Sequence, residues 1–332
     1  MKNILITGGV GFIGHHIIDY YLRNSDANIT IMDRLDVSGN LNRLTCLDSW
    51  EKNKNRVKFV WHDFKSEIYN NEVLCSMLNN PDVVLHVGAS SHVDRSIEDP
   101  LSFVMDNVVG TCNILNYARK LPNLSKFVYF STDEIFGPAP MGINYKENDR
   151  YNSGNPYAAA KAGGEELCVA FENTYKMPIM ISHCMNVFGQ RQHPEKFIPL
   201  CIKKIIKGEK ITIHSNKELT KAGSRFYIHA QNVASAVNFL LTNGKNGEKY
   251  NVVGEKEIDN LSLAQIIANI LGKPLNYELV DFHSSRPGHD LRYALDGEKM
   301  KNLGWNLPMN LEQSLESMVR WSVDHKEWIG LK

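Results

Sequence analysis

Short apolar runs recur along the first half of the chain, at Ile4-Leu5-Ile6-Thr7, Ile29-Thr30-Ile31-Met32, Val57-Lys58-Phe59-Val60, Val83-Val84-Leu85, Phe127-Val128-Tyr129-Phe130 and Ile179-Met180-Ile181. Runs this short and this continuous suit strands buried on both faces. The stretches between them carry apolar residues at helical spacing, as at Ile17, Ile18, Tyr21 and Leu22. Such alternation predicts βαβ units and a parallel sheet. Each run ends in polar or glycine residues, where an open α/β sheet forms its ligand crevice. Beyond about residue 187 the pattern breaks into segments punctuated by proline and glycine, with a short helix over 263–271. The apolar run 250–253 either belongs to this region or returns to the sheet.

The first run breaks at Gly8-Gly9-Val10-Gly11-Phe12-Ile13-Gly14 and continues into a helical pattern. Two spacings are satisfied at once, Gly9-x-Gly11-x-x-Gly14 and Gly8-x-x-Gly11-x-x-Gly14, and either lets a backbone approach a pyrophosphate at a helix N-terminus. The second run ends at Asp33, about 20 residues past the last glycine, where a carboxylate would take the ribose hydroxyls of a dinucleotide. That carboxylate would repel a 2′-phosphate, so NAD is expected over NADP, although the adjacent Arg34 is of a type that serves a 2′-phosphate. Gly8, Gly11, Phe12, Ile13, Gly14 and Asp33 are the candidate cofactor residues of this segment. The fold expected is α/β, a Rossmann-type doubly wound parallel sheet with a smaller C-terminal α/β substrate domain. Its NAD-binding part would span residues 1–186, with 226–250 returning to it, and 187–332 would mainly bind substrate.

Two further segments carry chemistry. Tyr157 and Lys161 are spaced to share one face of a helix, and the lysine charge is expected to lower the phenol pKa toward the working pH. Asn155-Pro156 reads as N-cap and first helical residue, placing Tyr157 in the first turn. The run at 127–130 ends in Ser131-Thr132-Asp133-Glu134, which sets two carboxyls beside that phenol and ammonium. This is more acid-base equipment than alcohol oxidation needs, and it points to elimination as well as hydride transfer.

Composition narrows the partners. The 332 residues hold 37 basic and 37 acidic side chains, which gives no basic stripe for nucleic acid. No long apolar segment or leader-like stretch is present, so export and membrane insertion are not expected. The six cysteines, at 46, 75, 112, 168, 184 and 201, show no metal-like or disulfide-framework spacing and read as reduced thiols of a cytoplasmic protein. The 12 histidines are scattered, and no metal is expected. His15 and His16 read as surface or packing residues.

Over nearly its whole length the chain resembles the nucleoside-diphosphate-hexose 4,6-dehydratases of the extended short-chain dehydrogenase/reductase superfamily. The residues that carry this are the glycine turn, Ser91-His92-Val93-Asp94-Arg95-Ser96-Ile97, Asn107-x-x-Gly110-Thr111, Thr132-Asp133-Glu134, Tyr157/Lys161, Asn186-Val-Phe-Gly189, Pro194-Glu195-Lys196-Phe197-Ile198-Pro199, Arg225 and Arg286-Pro287-Gly288-His289-Asp290-Leu291-Arg292-Tyr293. The resemblance implies bound NAD and a nucleoside-diphosphate sugar, with dTDP-glucose or UDP-glucose favoured. It implies C4 oxidation with Tyr157 as base, Thr132 in its hydrogen-bond network and Lys161 on the nicotinamide ribose. Glu134 would then take the C5 proton, Asp133 would protonate the departing 6-hydroxyl, and hydride would return to C6 while a proton is added at C5. Asp63 and Ala89 would join the cofactor site. Ser91, His92, Asn186, Glu195, Lys196, Phe197, Arg225, Arg286, His289 and Arg292 would contact substrate, the arginines through its diphosphate.

The resemblance also implies a homodimer built on helices starting near Asn107 and Pro156, with apolar residues Val108, Val109, Ile114, Leu115, Leu167, Val169 and Phe171. Departures from the family pattern at Gly88, Ser90, Gln190-Arg191-Gln192-His193 and Gln231-Asn232 are expected near the sugar or base pocket and leave sugar and nucleotide identity open. The rival readings are a 4-epimerase, a decarboxylase or a UDP-N-acetylglucosamine dehydratase on the same scaffold. A non-catalytic dinucleotide sensor, whose natural mark would be loss of Tyr157 or Lys161, is the rival of a different kind.

Overall fold

The computed structural model describes residues 3–282 and 291–332. Six of the expected apolar runs form strands β1 (Asn3–Thr7), β2 (Asn28–Asp33), β3 (Val57–Trp61), β4 (Val83–His86), β5 (Lys126–Thr132) and β6 (Ile179–Cys184). Together with Lys249–Val252 they make a seven-stranded sheet in the order β3, β2, β1, β4, β5, β6, Lys249–Val252. Every pairing in it is parallel. The run near 250 therefore returns to the sheet, in register with β6 from Lys249 opposite Ile181 to Val252 opposite Cys184.

Both faces are covered, as the two-residue period of a strand requires. Ile4, Ile6, Ile29, Ile31 and Leu85 point to a face packed by helices Phe12–Asn24 and Ala230–Asn243, through Ile17, Ile18, Val233 and Val237. Leu5, Met32, Val84, Phe127 and Tyr129 point to the other, packed by Gly110–Ala118 and Pro156–Tyr175 through Ile114, Leu115, Cys168 and Phe171. A separate core, built on Ile198, Ile202, Ile213, Leu263, Ile267, Leu315 and Met318, lies within the C-terminal helices and a two-stranded pair, Ile211–Ser215 with Tyr277–Asp281.

Strand order reverses between β1 and β4. The carboxyl ends of those strands open a crevice there, the expected ligand position in a doubly wound sheet. Buried His86, at the end of β4, ties that strand to β1 and to the Gly110–Ala118 helix: one ring nitrogen lies 2.7 Å from Thr7 Oγ1 and the other 3.0 Å from Thr111 Oγ1. Burial, with Lys161 nearby, lowers its pKa to about 3 and keeps the imidazole neutral.

Candidate active site

The glycine turn follows β1 directly. Gly8 has φ +65°, and a Cβ there would lie 2.6 Å from Gly88 Cα, so the residue is held by backbone conformation and by close approach. At Gly14 a Cβ would lie 2.3 Å from Gly8 O, which lets the first helix begin against the turn. Gly8, Gly11 and Gly14 line the crevice while Gly9 packs against Ile31 and Ile18, so the Gly8-x-x-Gly11-x-x-Gly14 spacing is the one presented to a ligand. At the end of β2, Asp33 accepts from Val10 N (3.3 Å) and Leu35 N (2.9 Å). Burial raises its carboxyl and those two N–H groups oppose the rise. Arg34 donates to Asp36, to Asp106 at 2.6 and 2.8 Å, and to Asp63 at 3.4 Å. Three carboxylates thus hold the guanidinium that a 2′-phosphate would need.

A π-helical turn at Met105–Val109 shapes the next wall. Within it the Asn107 amide brackets the backbone of Ser90, accepting from Ser90 N and donating to Ser90 O at 2.9 Å each. That clamp fixes the loop carrying Ala89, Ser91 and His92. Gly88 and Gly110 have a local reason: a Cβ at either would meet the Phe64 ring, at 2.8 and 2.4 Å.

β5 delivers Thr132, Asp133 and Glu134 to the crevice. Thr132 Oγ1 donates to Asp133 Oδ1 (2.9 Å), and Asp133 Oδ2 is buried with no hydrogen-bond partner. Burial pushes the Asp133 carboxyl up to about 6, with Thr132 and Arg225 opposing. Burial and the Asp133 charge push Glu134, which faces the cleft, up to about 7. Near neutral pH the pair therefore carries about one proton, an acid and a base side by side.

Asn155 caps the helix Pro156–Tyr175 by accepting from Ala158 N at 2.8 Å, with Pro156 at the first position as expected. Tyr157 and Lys161 follow on its buried face. The expected lowering of the tyrosine pKa is corrected here: burial and the Glu134 carboxylate raise it well above the ordinary value, with a Thr132 hydrogen bond opposing. Lys161 Nζ sits 4.1 Å from the Tyr129 ring centroid, and burial lowers its pKa to about 8. Desolvation, not the lysine charge, dominates both groups.

One cleft of about 760 Å³ gathers Gly8, Gly11, Phe12, Ile13, Gly14, Asp33, Ala89, Ser91, His92, Thr132, Asp133, Glu134, Tyr157, Lys161, Asn186, Glu195, Lys196, Phe197 and Arg225. Asn186 Oδ1 and His92 Nδ1 are buried there without partners. Arg225 holds Ser224 O and Leu291 O and stacks 4.6 Å over Tyr293. Glu195 stands over half exposed at the mouth, 3.5 Å from Arg95 and 3.7 Å from His92 and His193.

Two expected residues lie elsewhere. Asp63 does not line the cleft, because Arg34 and Lys65 draw its carboxylate at 3.4 and 3.5 Å. Arg292 is also outside it: the guanidinium pairs with Glu257 at 2.8 and 2.9 Å and donates to Pro140 O, Ile143 O and Asn144 Oδ1, which suits holding the 137–145 segment in place of a diphosphate. Arg286 and His289 fall outside the described residues.

Of the departures, Asn232 is not at the pocket, since it exchanges two hydrogen bonds with Met309, and Gln231 is exposed. Ser90 donates to Asp106 at 2.5 Å, and Gln192 and His193 do line the cleft. His15 and His16 are buried packing residues on the first helix. Arg43, which sequence reasoning missed, also lines the cleft while holding Val10 O and Ser38 O; no motif signals it.

The sequence profile of the family described as GDP-mannose 4,6 dehydratase matches residues 5–318. The chain belongs to this family of nucleotide-sugar 4,6-dehydratases. It is 33% identical to the dTDP-glucose 4,6-dehydratase of Escherichia coli, over 98% of this chain and 94% of that one. The solved dTDP-glucose 4,6-dehydratase DesIV of Streptomyces venezuelae, with NAD bound, superposes with a TM-score of 0.87 at 31% identity, covering 98% of each chain. A UDP-glucuronic acid 4-epimerase from Bacillus cereus shares the fold at 24% identity and a TM-score of 0.86, over 98% of this chain and 100% of that one. The chain is an NAD-dependent hydro-lyase of the nucleotide-sugar class. Its glycine cradle, the Asp33 carboxylate and the neutralised Arg34 fit NAD.

Proposed function

We propose that the chain converts dTDP-glucose, with UDP-glucose as the second candidate, to the nucleotide-linked 4-keto-6-deoxy sugar. The observation that carries the reading is the coupled Asp133/Glu134 pair on the wall that also holds Thr132 and Tyr157, because epimerisation at C4 has no use for a second acid-base pair. Bound NAD supplies the hydride acceptor and, after elimination, the donor. Tyr157 takes the proton of the 4-hydroxyl, with Thr132 hydrogen-bonded to its phenol. Lys161, on the same helix face, orients the nicotinamide ribose.

Oxidation at C4 acidifies the C5 proton, which Glu134 removes, and Asp133 gives its proton to the leaving 6-hydroxyl. The unpartnered Asp133 Oδ2 is free to make that contact. Arg225 and Lys196, at the far side of the cleft, supply cations for the diphosphate. Asn186 and His92 offer polar atoms without protein partners to the sugar or base.

The same reading assigns NAD binding to residues 1–186 with 226–250, supported by the return of Lys249–Val252 to the sheet, and substrate binding mainly to 187–332. A homodimer also belongs to it. Ile114, Leu115 and Phe171 are buried against the sheet, which leaves for a partner the half-buried Val108, Val109, Leu167 and Val169 together with exposed Ile97, Leu101, Val104 and Met105, Leu101 being 68% exposed. Light scattering at micromolar concentration should give twice the chain mass; a monomer mass alone would remove the dimer. Among the described residues no helix is long and apolar enough to cross a membrane. The six unpaired cysteines support a cytoplasmic location.

The test of the reaction is incubation with NAD⁺ and each of dTDP-glucose, UDP-glucose and UDP-N-acetylglucosamine in deuterated water, followed by mass and NMR. Loss of one water with deuterium at C5, fastest for dTDP-glucose, is the expected outcome. An unchanged mass with inversion at C4 would overturn the reading.

A further inference from the structure

The side chain of Asn155 faces two ways. Its Oδ1 accepts from Ala158 N at 2.8 Å and so starts the helix that carries Tyr157 and Lys161. Its Nδ2 donates to Glu134 Oε2 at 3.0 Å. The helix-capping role needs only an acceptor, and serine or aspartate would meet it equally well. The donated hydrogen bond needs the amide.

We propose that Asn155 is a positioning residue for the elimination step: its amide aims the Glu134 carboxylate and favours its charged form, while its carbonyl fixes the Tyr157/Lys161 helix against that same carboxylate. The inference rests on the assignment of Glu134 as the C5 base. A hydrogen bond donated to the ionised form stabilises that form, and here it acts against burial and the Asp133 charge. The groups facing Glu134 are Asp133 from its own segment, Tyr157 from the Pro156–Tyr175 helix, Arg225 from the Ser224–Phe226 strand and Lys196 ahead of the Phe197–Lys207 helix. Arg225 and Lys196 push in the same direction as Asn155 but also serve the substrate diphosphate under the reading above, whereas the Asn155 amide is assigned no substrate contact. Losing this donor therefore makes Glu134 hold its proton more strongly, which works against its use as the base.

The test compares N155S, N155D and E134Q with the native protein across pH, measuring reduction of bound NAD⁺ by substrate separately from water elimination. Both Asn155 variants keep a good cap, so the helix is retained. N155S should move the acid limb of elimination up by about one pH unit, a loss of about tenfold on that limb, and N155D further, with NAD⁺ reduction at alkaline pH unchanged. If E134Q abolishes elimination but N155S leaves the acid limb in place, the positioning role is refuted and the Glu134 assignment stands. If both variants slow NAD⁺ reduction and elimination equally at every pH, the substitutions act through the helix that carries Tyr157 and not through the Glu134 carboxylate, and the proposal is overturned. If E134Q turns over normally, the assignment and the inference fall together.

Discussion

Asp133→Asn should make the protein more stable at pH 8 while disabling it. Asp133 is 4% exposed, and burial lifts its carboxyl from the ordinary 3.8 to about 6. A folded-state pKa above the unfolded one drains stability as pH rises. Below about pH 3.8 both states hold the proton and nothing is lost. Between that value and about 6 the unfolded chain ionises first, and above 6 the full cost is present. The displacement corresponds to about 3 kcal/mol at about 1.4 kcal/mol per pH unit. This is an upper figure, because Glu134 shares the titration.

Asparagine keeps the oxygen that accepts from Thr132 Oγ1 at 2.9 Å and removes the charge. The difference between variant and native protein should therefore be near zero at pH 4 and rise to about 1–3 kcal/mol by pH 8. Urea unfolding at a series of pH values, with NAD⁺ at equal saturation, reads it directly. A difference that does not change with pH, or a variant less stable than the native protein at pH 8, would refute the burial argument.

Three further outcomes are expected. Glu134→Gln should allow bound NAD⁺ to be reduced by substrate but slow product formation by about a hundredfold or more; stopped-flow absorbance against product assay separates the two, and unchanged turnover removes Glu134 from the mechanism. Glu165 is fully buried against His183 (3.1 Å) and Lys249 (3.0 Å); burial alone would raise its carboxyl, but His183 and Lys249 outweigh it and hold it far below the usual range. Its contribution is thus present above pH 4.5 and fades as pH falls toward the folded value, so Glu165→Gln should cost about 3–5 kcal/mol at pH 7 and progressively less below pH 4.5 in denaturant melts; an equal cost at pH 3 would contradict the ion-pair account. Gly88→Ala would place a methyl 2.8 Å from the Phe64 ring, and the displaced crevice wall should weaken NAD binding by about tenfold at a cost of about 1–3 kcal/mol; calorimetry showing native affinity would mean Phe64 yields freely.

Local chemistry was legible in the residues, and long-range pairing was not. The glycine turn, the Asn155-Pro156 helix start and the strand ends carrying Asp33 and Thr132 depend on neighbours a few residues away, and each is found where its local pattern points. Arg292 and Asp63 depend on distant partners. An arginine in a motif reads the same whether it faces a diphosphate or, as here, Glu257 thirty-five residues away. Asp63 is likewise claimed by Arg34 across 29 residues. Helical spacing shows that Lys161 is near Tyr157 but not that both groups are buried or that Glu134 faces the phenol, so it points the wrong way for the tyrosine pKa. Arg43 and the second role of Asn155 left no signature, since neither residue type stands out at its position.

The most direct test of the central claim is a single turnover of dTDP-glucose carrying deuterium on C4, with the label followed by NMR. The account predicts that the label leaves C4 and is recovered at C6 of the dehydrated sugar, because the cofactor takes and returns the same hydride within one closed site. Label retained at C4, with inverted configuration and no loss of water, would contradict it.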